Sequence, residues 1–246
     1  MIICPITTYT NVSASSQNKF LILERNLFKM DKKIWGVLMN GYSFELITGP
    51  MGCGKTEELL RRIRRCTIAR KNIKVFSPLI DTRSNGDYIE SRNGLWANAI
   101  KIEHSIQIMS YVKPDDEIIA IDELQFFDSN IIKVISRLMN EGKKVIGTGL
   151  DIDFKSEPFG SMPRLLCLAT EVDKLHAVCM KCGCEHATRT QRLIDGKPAD
   201  KSSPLIMIGG DETYEARCVK CYELPDKNAS KRDEISNKKI LDFIRR

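Results

Sequence analysis

Three groups of residues in this chain carry types and spacings that can do chemistry. The first is S-F-E-L-I-T-G-P-M-G-C-G-K-T-E-E-L-L-R-R-I-R-R at 43–65, in which Gly49 to Thr56 fits the spacing G-x-x-x-x-G-K-[ST] at every position. Gly49, Gly52 and Gly54, interleaved with Pro50, Met51 and Cys53, let backbone N–H groups turn toward an anion, and a helix opening near Lys55 adds the positive end of its dipole. In such a loop Lys55 reaches the β- and γ-phosphates of a nucleotide and the Thr56 hydroxyl ligates Mg²⁺. The second group is E-I-I-A-I-D-E-L-Q-F-F at 117–127, an apolar run ending in adjacent carboxylates. Asp122 there approaches the Mg²⁺ shell, and Glu123 is left to take a proton from a nucleophile. The third is Cys179-x-x-Cys182 with Cys218-x-x-Cys221, a four-thiolate set that suits tetrahedral Zn²⁺. Four thiolates close a metal to substrate water, so its role is structural. Cys184 and His186 break the symmetry of the paired knuckles and are left out of the expected ligand set.

The elements that must position these groups follow from apolar spacing. Phe44, Leu46 and Ile47 form a short strand before the loop, and Leu59, Leu60, Ile63 and Cys66 give the helix after it an apolar stripe. Arg61, Arg62, Arg64 and Arg65 fall outside that stripe and are expected to be solvated. Ile73 to Ser77 predicts a strand ended by Pro78, with Asp81-Thr82-Arg83 just beyond its carboxyl end; Ser84 to Gly94 predicts a mobile loop, and Ile100 to Glu103 another strand. Ile118 to Ile121 has the pattern of a strand buried on both faces, Ile131 to Met139 that of a helix stopped at Gly142, and Lys143 to Leu150 that of a strand. Alternating strands and helices over 43–150 imply a parallel α/β sheet with right-handed crossovers. Phe154 and Phe159 in the loop Asp151 to Gly160 suit either core closure or a platform for a flat ring. The stretch Leu205 to Gly209 suits either strand packing or backbone pairing with a base edge, and the residues leave both open.

Length and composition bound the rest. The chain has 246 residues, enough for a domain of about 150 residues and a smaller one. Its net charge of +6 suits a protein that handles phosphates but is too small and dispersed to argue for nucleic acid. Nine cysteines with two C-x-x-C pairs indicate metal rather than disulfides, hence a reducing compartment, and no apolar stretch approaches a membrane span. Met1 to Asn40 is rich in Ser and Thr and poor in Arg, which favours a disordered extension over a transit segment. The expected organisation is an N-terminal extension over 1–42, a phosphate-loop domain over 43–171, a zinc-bearing unit over 172–225 and a charged tail over 226–246.

Together, G-P-M-G-C-G-K-T, D-T-R at 81–83, D-E-L-Q-F-F at 122–127, D-I-D-F-K-S-E-P-F-G at 151–160, the paired cysteines and G-G-D-E-T-Y-E-A-R-C-V-K-C-Y at 209–222 resemble the type II thymidine kinases. The resemblance covers about Ser43 to Tyr222. It implies a RecA-like phosphate-loop domain and a small zinc domain with a lasso loop, transferring the ATP γ-phosphoryl group to the 5′-hydroxyl of thymidine. It also implies a cytoplasmic homotetramer that binds neither nucleic acid nor membrane. By position, Asp81, Thr82, Arg83, Leu124 and Gln125 join the loop residues and carboxylates at the ATP and Mg²⁺ site, with Glu123 as proton acceptor. Phe154, Leu205, Ile206, Met207, Ile208, Gly209 and Tyr214 match the thymidine pocket, with Met51 and Phe159 as further lining. The family often has Ala or Gly where this chain has Leu124, which places a larger side chain in the neighbourhood of the base.

Two other classes fit less well. A nucleic-acid motor would also use the phosphate loop and zinc knuckles but needs a dense basic track, and only Arg61 to Arg65 is basic in that way. A zinc nucleoside deaminase needs an H-x-E signature, which the chain lacks.

Overall fold

The computed structural model describes residues 43–81, 86–205 and 212–225. The N-terminal extension, the C-terminal tail, Thr82 and Arg83, and the Ile206 to Gly209 part of the expected pocket lie outside the described residues.

Strand β1 (Phe44–Thr48) leads through the glycine loop into helix α1 (Lys55–Ile68), and β2 (Ile73–Pro78) follows. A hairpin of β3 (Tyr88–Glu90) and β4 (Trp96–Asn98), then β5 (Ile100–Ile102) and the single-turn helix α2 (Ile108–Tyr111), come before β6 (Ile118–Ile121). Next are α3 (Ile131–Asn140), β7 (Lys144–Gly149), α4 (Met162–Leu168) and β8 (Glu171–Lys174). These strands build one sheet in the order β5-β2-β6-β7-β1-β8, and each neighbouring pair is parallel.

Burial explains why Ile-rich strands stand at the centre. All four residues of β6 are buried, because both faces of a parallel sheet are covered. One face packs Ile47, Val75, Ala120 and Ile146 against Leu59, Leu60 and Ile63 of α1. The other packs Phe44, Phe76, Ile119, Ile121 and Val145 against α3 and α4. One strand, β7, lies between β1 and β6, so the phosphate loop and the carboxylate pair emerge from strands that are next-but-one neighbours at the same end of the sheet.

Of the stretch expected to be a mobile loop, Ser84 to Gly94, the described residues 86–94 instead contribute β3 and the turn of the hairpin of β3 and β4. Ile89 and the neighbouring Ala99 are buried in the cluster that includes Leu59 and Leu60, so packing on α1 orders a segment whose polar composition reads as loop. Strand β8 also went unread: its exposed, charged sequence E-V-D-K lacks a buried-strand pattern, yet it pairs along β1 as the edge of the sheet. The expected boundary at 171/172 therefore falls within β8.

Arg62 ties this edge to the rest. Its guanidinium bonds Glu45 of β1 at 2.7 Å and Glu58 of α1 at 2.9 Å, and it also bonds Asp173 of β8. Its three carboxylate partners hold the Arg62 charge in place against partial burial, and the expected solvated role fits only its neighbours. After the cysteine-bearing segment, β9 (Arg189–Ile194) pairs antiparallel with β10 (Lys197–Pro198) and β11 (Glu212–Arg217) in a small sheet.

Leu124 packs into the sheet. It is fully buried in the main core, and its Cδ1 stands where a Cβ on Gly147 would be, 2.4 Å away. The larger side chain fits inward because β7 carries glycine opposite it. A methyl on Gly147 would also meet Phe44 at 3.0 Å. Gly147→Ala should therefore lower stability in urea unfolding by about 1–3 kcal/mol through overpacking. Leu124→Ala alone should cost about 2–5 kcal/mol as a cavity. The double variant should be more stable than the sum of the two losses by at least about 0.5 kcal/mol, and strict additivity would refute the contact.

Candidate functional site

The loop after β1 turns through left-handed positions at Gly52 (φ 74°) and Gly54 (φ 86°), the latter directly before the first residue of α1. Gly49 is required for space: a Cβ there would stand 2.3 Å from the Leu175 carbonyl oxygen. Lys55 is buried, and its ammonium donates to the carbonyls of Gly49 at 3.2 Å and Pro50 at 2.8 Å. The charged tip is thereby held over the inside of its own loop. Cys53 lies 3.8 Å from the Lys55 Nζ; burial pushes its thiol pKa up, against the pull of the Lys55 charge.

Asp122 and Glu123 follow the last residue of β6, and both are buried. The Thr56 hydroxyl, in the first turn of α1, donates to Asp122 Oδ2 at 3.3 Å. Thr148 of β7 donates to Asp122 Oδ1, which also accepts the Glu123 N–H at 3.0 Å. A carboxylate and a hydroxyl at this separation can share a divalent cation, as oxygen donors do for Mg²⁺.

Glu123 sits at φ 52°, ψ 49°, a left-handed conformation that costs a non-glycine residue on the order of 1 kcal/mol. The Gln125 side-chain amide donates to Glu123 Oε2, while Gln125 Oε1 accepts the Leu150 N–H at 3.0 Å. Gly149 and Gly160 allow this close approach, since a Cβ at either would stand 2.9 Å or 2.8 Å from Gln125 oxygens. Glu123 is thus a carboxylate with a fixed aim.

The structure also describes other residues that sequence spacing singled out. Asp81 follows β2 by three residues, at the same end of the sheet, and its carbonyl accepts from Lys101 at 3.2 Å. Phe154 is buried, with its carbonyl held by the Tyr222 hydroxyl at 2.5 Å. Tyr214 is half-buried on β11, and Leu205 is exposed. Phe159 is buried edge-to-face against Phe126, so it closes the core.

Four residues at the site had escaped notice. Thr148 is a polar residue inside an otherwise apolar strand, a signal that was available. Arg92, in the hairpin turn, brings its guanidinium against Gly52, 3.5 Å from where a Cβ would be. Arg192 is fully buried, its guanidinium 5.1 Å from the Phe154 ring centre and 5.8 Å from that of Tyr214. Thr190 accepts the Met51 N–H at 3.1 Å. These three depend on long-range pairing that local pattern does not encode.

The cysteines converge as a separate cluster. The sulfurs of Cys179, Cys182, Cys184 and Cys218 all lie within 4.8 Å of one another, so Cys184, omitted from the expected set, belongs to the group. Burial opposes ionisation of Cys179, but backbone N–H groups of Cys218, Cys182 and Lys181 aimed at its sulfur hold it at about 6. Cys221, which the expected set included, is not among those four sulfurs; the neighbouring Cys182 and Cys218 thiols, burial and Cys179 push its pKa up to about 12. Soft sulfur donors at this spacing, with N–H groups directed at the first cysteine of a knuckle, fit a closed Zn²⁺ site.

A parallel sheet that presents a glycine loop, a lysine within it and a carboxylate pair one strand removed is the frame of a phosphate-loop domain, and β9 of the small sheet meets its loop through Thr190. The thymidine kinase family model matches residues 42–222, and the chain belongs to that family.

Proposed function

We propose that the protein transfers the γ-phosphoryl group of ATP to the 5′-hydroxyl of thymidine, giving thymidine 5′-monophosphate and ADP. The observation that carries this reading is the fixed aim of Glu123: a buried carboxylate held by Gln125, beside an Asp122 that is tied to Thr56. A water attacking ATP also loses a proton, so the preference for a nucleoside hydroxyl as acceptor is supported by the thymidine kinase family match over residues 42–222. In this reading Lys55 exchanges its bonds to the Gly49 and Pro50 carbonyls for phosphate oxygens, and Arg92 adds a second positive charge over Gly52. Thr56 and Asp122 are the residues that would hold Mg²⁺, which when bound neutralises charge on the triphosphate. Glu123 accepts the 5′-hydroxyl proton as the bond from that oxygen to the γ-phosphorus forms and the bond from phosphorus to the β,γ-bridging oxygen breaks, the electron pair leaving with ADP. Phe154, Tyr214 and the stretch from Leu205 to Gly209 receive the nucleoside, with Asp81, Thr82 and Arg83 toward the phosphates. Zinc, held by Cys179, Cys182, Cys218 and Cys221, has no part in the reaction and stabilises the smaller unit.

Glu123→Gln should reduce turnover by about 10²–10⁴-fold, the usual effect of losing a general base, with thymidine binding by calorimetry unchanged. A variant that kept wild-type turnover would remove Glu123 from the mechanism. In transfer of labelled phosphate from ATP to a nucleoside panel, thymidine should be used and purine nucleosides should not. Phosphorylation of a nucleoside monophosphate instead would assign a different kinase.

The ligand set has its own measurement. Cys182→Ser and Cys218→Ser should each abolish bound zinc by elemental analysis and lower the melting temperature. Cys221→Ser should do the same, whereas Cys184→Ser should keep one equivalent of zinc, because the two C-x-x-C knuckles supply the donors. Loss of zinc in Cys184→Ser with retention in Cys221→Ser would exchange the two residues in that set.

A further inference from the structure

Strand β9 touches both halves of the candidate site with one face. Thr190 and Arg192 are two residues apart on a strand, so their side chains point the same way. Both are buried, Thr190 at 2% exposure and Arg192 at 0%. Thr190 Oγ1 accepts the backbone N–H of Met51 at 3.1 Å, inside the phosphate loop. The Arg192 guanidinium lies 5.1 Å from the Phe154 ring centre and 5.8 Å from the Tyr214 ring centre, and it donates to the Pro204 carbonyl at 2.6 Å.

The loop also leans on this side of the molecule through two further contacts. Gly49 passes against the Leu175 carbonyl too closely for any Cβ, and Cys53 packs on the buried cluster that contains Cys179 and Cys218. A phosphate loop is made of short turns and glycines, and its N–H directions are set by whatever its outer side rests on. Here the outer side rests on the cysteine-bearing unit, and the hydrogen bond to Thr190 is the directional part of that contact.

We infer that Thr190 is a positioning residue that locks the ATP-binding loop to the strand shaping the nucleoside pocket, so that β9 sets the distance between donor phosphate and acceptor hydroxyl. The inference rests on the proposed thymidine kinase reaction for the identity of the pocket. Its chemical basis is that phosphoryl transfer depends on placing the reacting atoms about 3–3.5 Å apart, and a misplacement of 1 Å costs on the order of 10²-fold. Both termini of that distance touch one rigid strand, two residues apart.

The test replaces Thr190 by valine, which keeps the shape and removes the oxygen, and by serine, which keeps the oxygen and removes a methyl. The full-length protein is titrated with the fluorescent nucleotide mant-ATP, and steady-state constants are measured for ATP and thymidine separately. Thr190→Val should weaken mant-ATP binding about tenfold, equivalent to about 1.4 kcal/mol, and should lower kcat while the KM for thymidine stays at the wild-type value. Thr190→Ser should restore both nucleotide affinity and kcat. Mant-ATP affinity within twofold of wild type in Thr190→Val overturns the inference, as does a loss of equal size in Thr190→Ser, which would assign the effect to packing of the methyl group. Should the valine variant not fold, Thr190→Ala takes its place, with the same serine comparison. A wild-type protein that transfers no phosphate to thymidine sinks the proposed reaction alone, because the mant-ATP titrations still read whether Thr190 orders the loop.

Discussion

The carboxylate of Asp122 is the point on which the arrangement depends. A buried ion is tolerated only where its oxygens are bonded. Those bonds come from α1 through Thr56, from β7 through Thr148 and from the following turn through the Glu123 N–H. Each donor belongs to a different element, so the acid can be satisfied only when the loop helix, the intervening strand and the acid strand are in register. The strand order β6-β7-β1 is what lets one side chain meet all three. The apolar packing on either side of the sheet drives association without direction, whereas this carboxylate selects one alignment from the many that would bury comparable area.

Much of this was legible because the chemistry is local. The glycines from Gly49 to Gly54, the buried run Ile118 to Ile121 and the stripe of Leu59, Leu60 and Ile63 each carry their own signal within a few residues, and the elements formed where those signals place them. The hairpin of β3 and β4 was missed because its stabilising partner, α1, is distant in sequence and its own composition is that of a turn. Strand β8 was missed for the complementary reason: as an edge it carries charges where a central strand carries isoleucine. The fate of Leu124 depended on a glycine on another strand, Gly147, and no reading of the D-E-L-Q motif in isolation contains that information.

At the site, spacing identified side chains that act at their own positions and overlooked those that act across elements. Lys55 folds back over its own loop, and Thr56 meets Asp122, the neighbour of Glu123. Thr190, Arg192 and Arg92 reach the same region from strand β9 and from a hairpin turn, where neighbouring residues give no hint of a destination. The cysteines show the same division. Paired C-x-x-C spacing located the cluster, and the backbone turn in which the Cys184 carbonyl accepts the Cys179 N–H at 2.8 Å brought in a sulfur that spacing had set aside, in a four-sulfur group that does not include Cys221.

Arg62 gives the sheet an edge of unusual character. Its guanidinium gathers one acid from each of β1, α1 and β8, at a side-chain exposure of 15%, and the strand it secures has little apolar surface of its own. The outermost strand is therefore fastened in part by ionic contacts, of which the one to Asp173 is the most exposed at 39%, while the centre is fastened by buried hydrocarbon. Concentrated salt strengthens the second kind of attachment as it weakens the first. The edge strand and the centre of the sheet consequently answer to dissolved electrolyte with opposite sign.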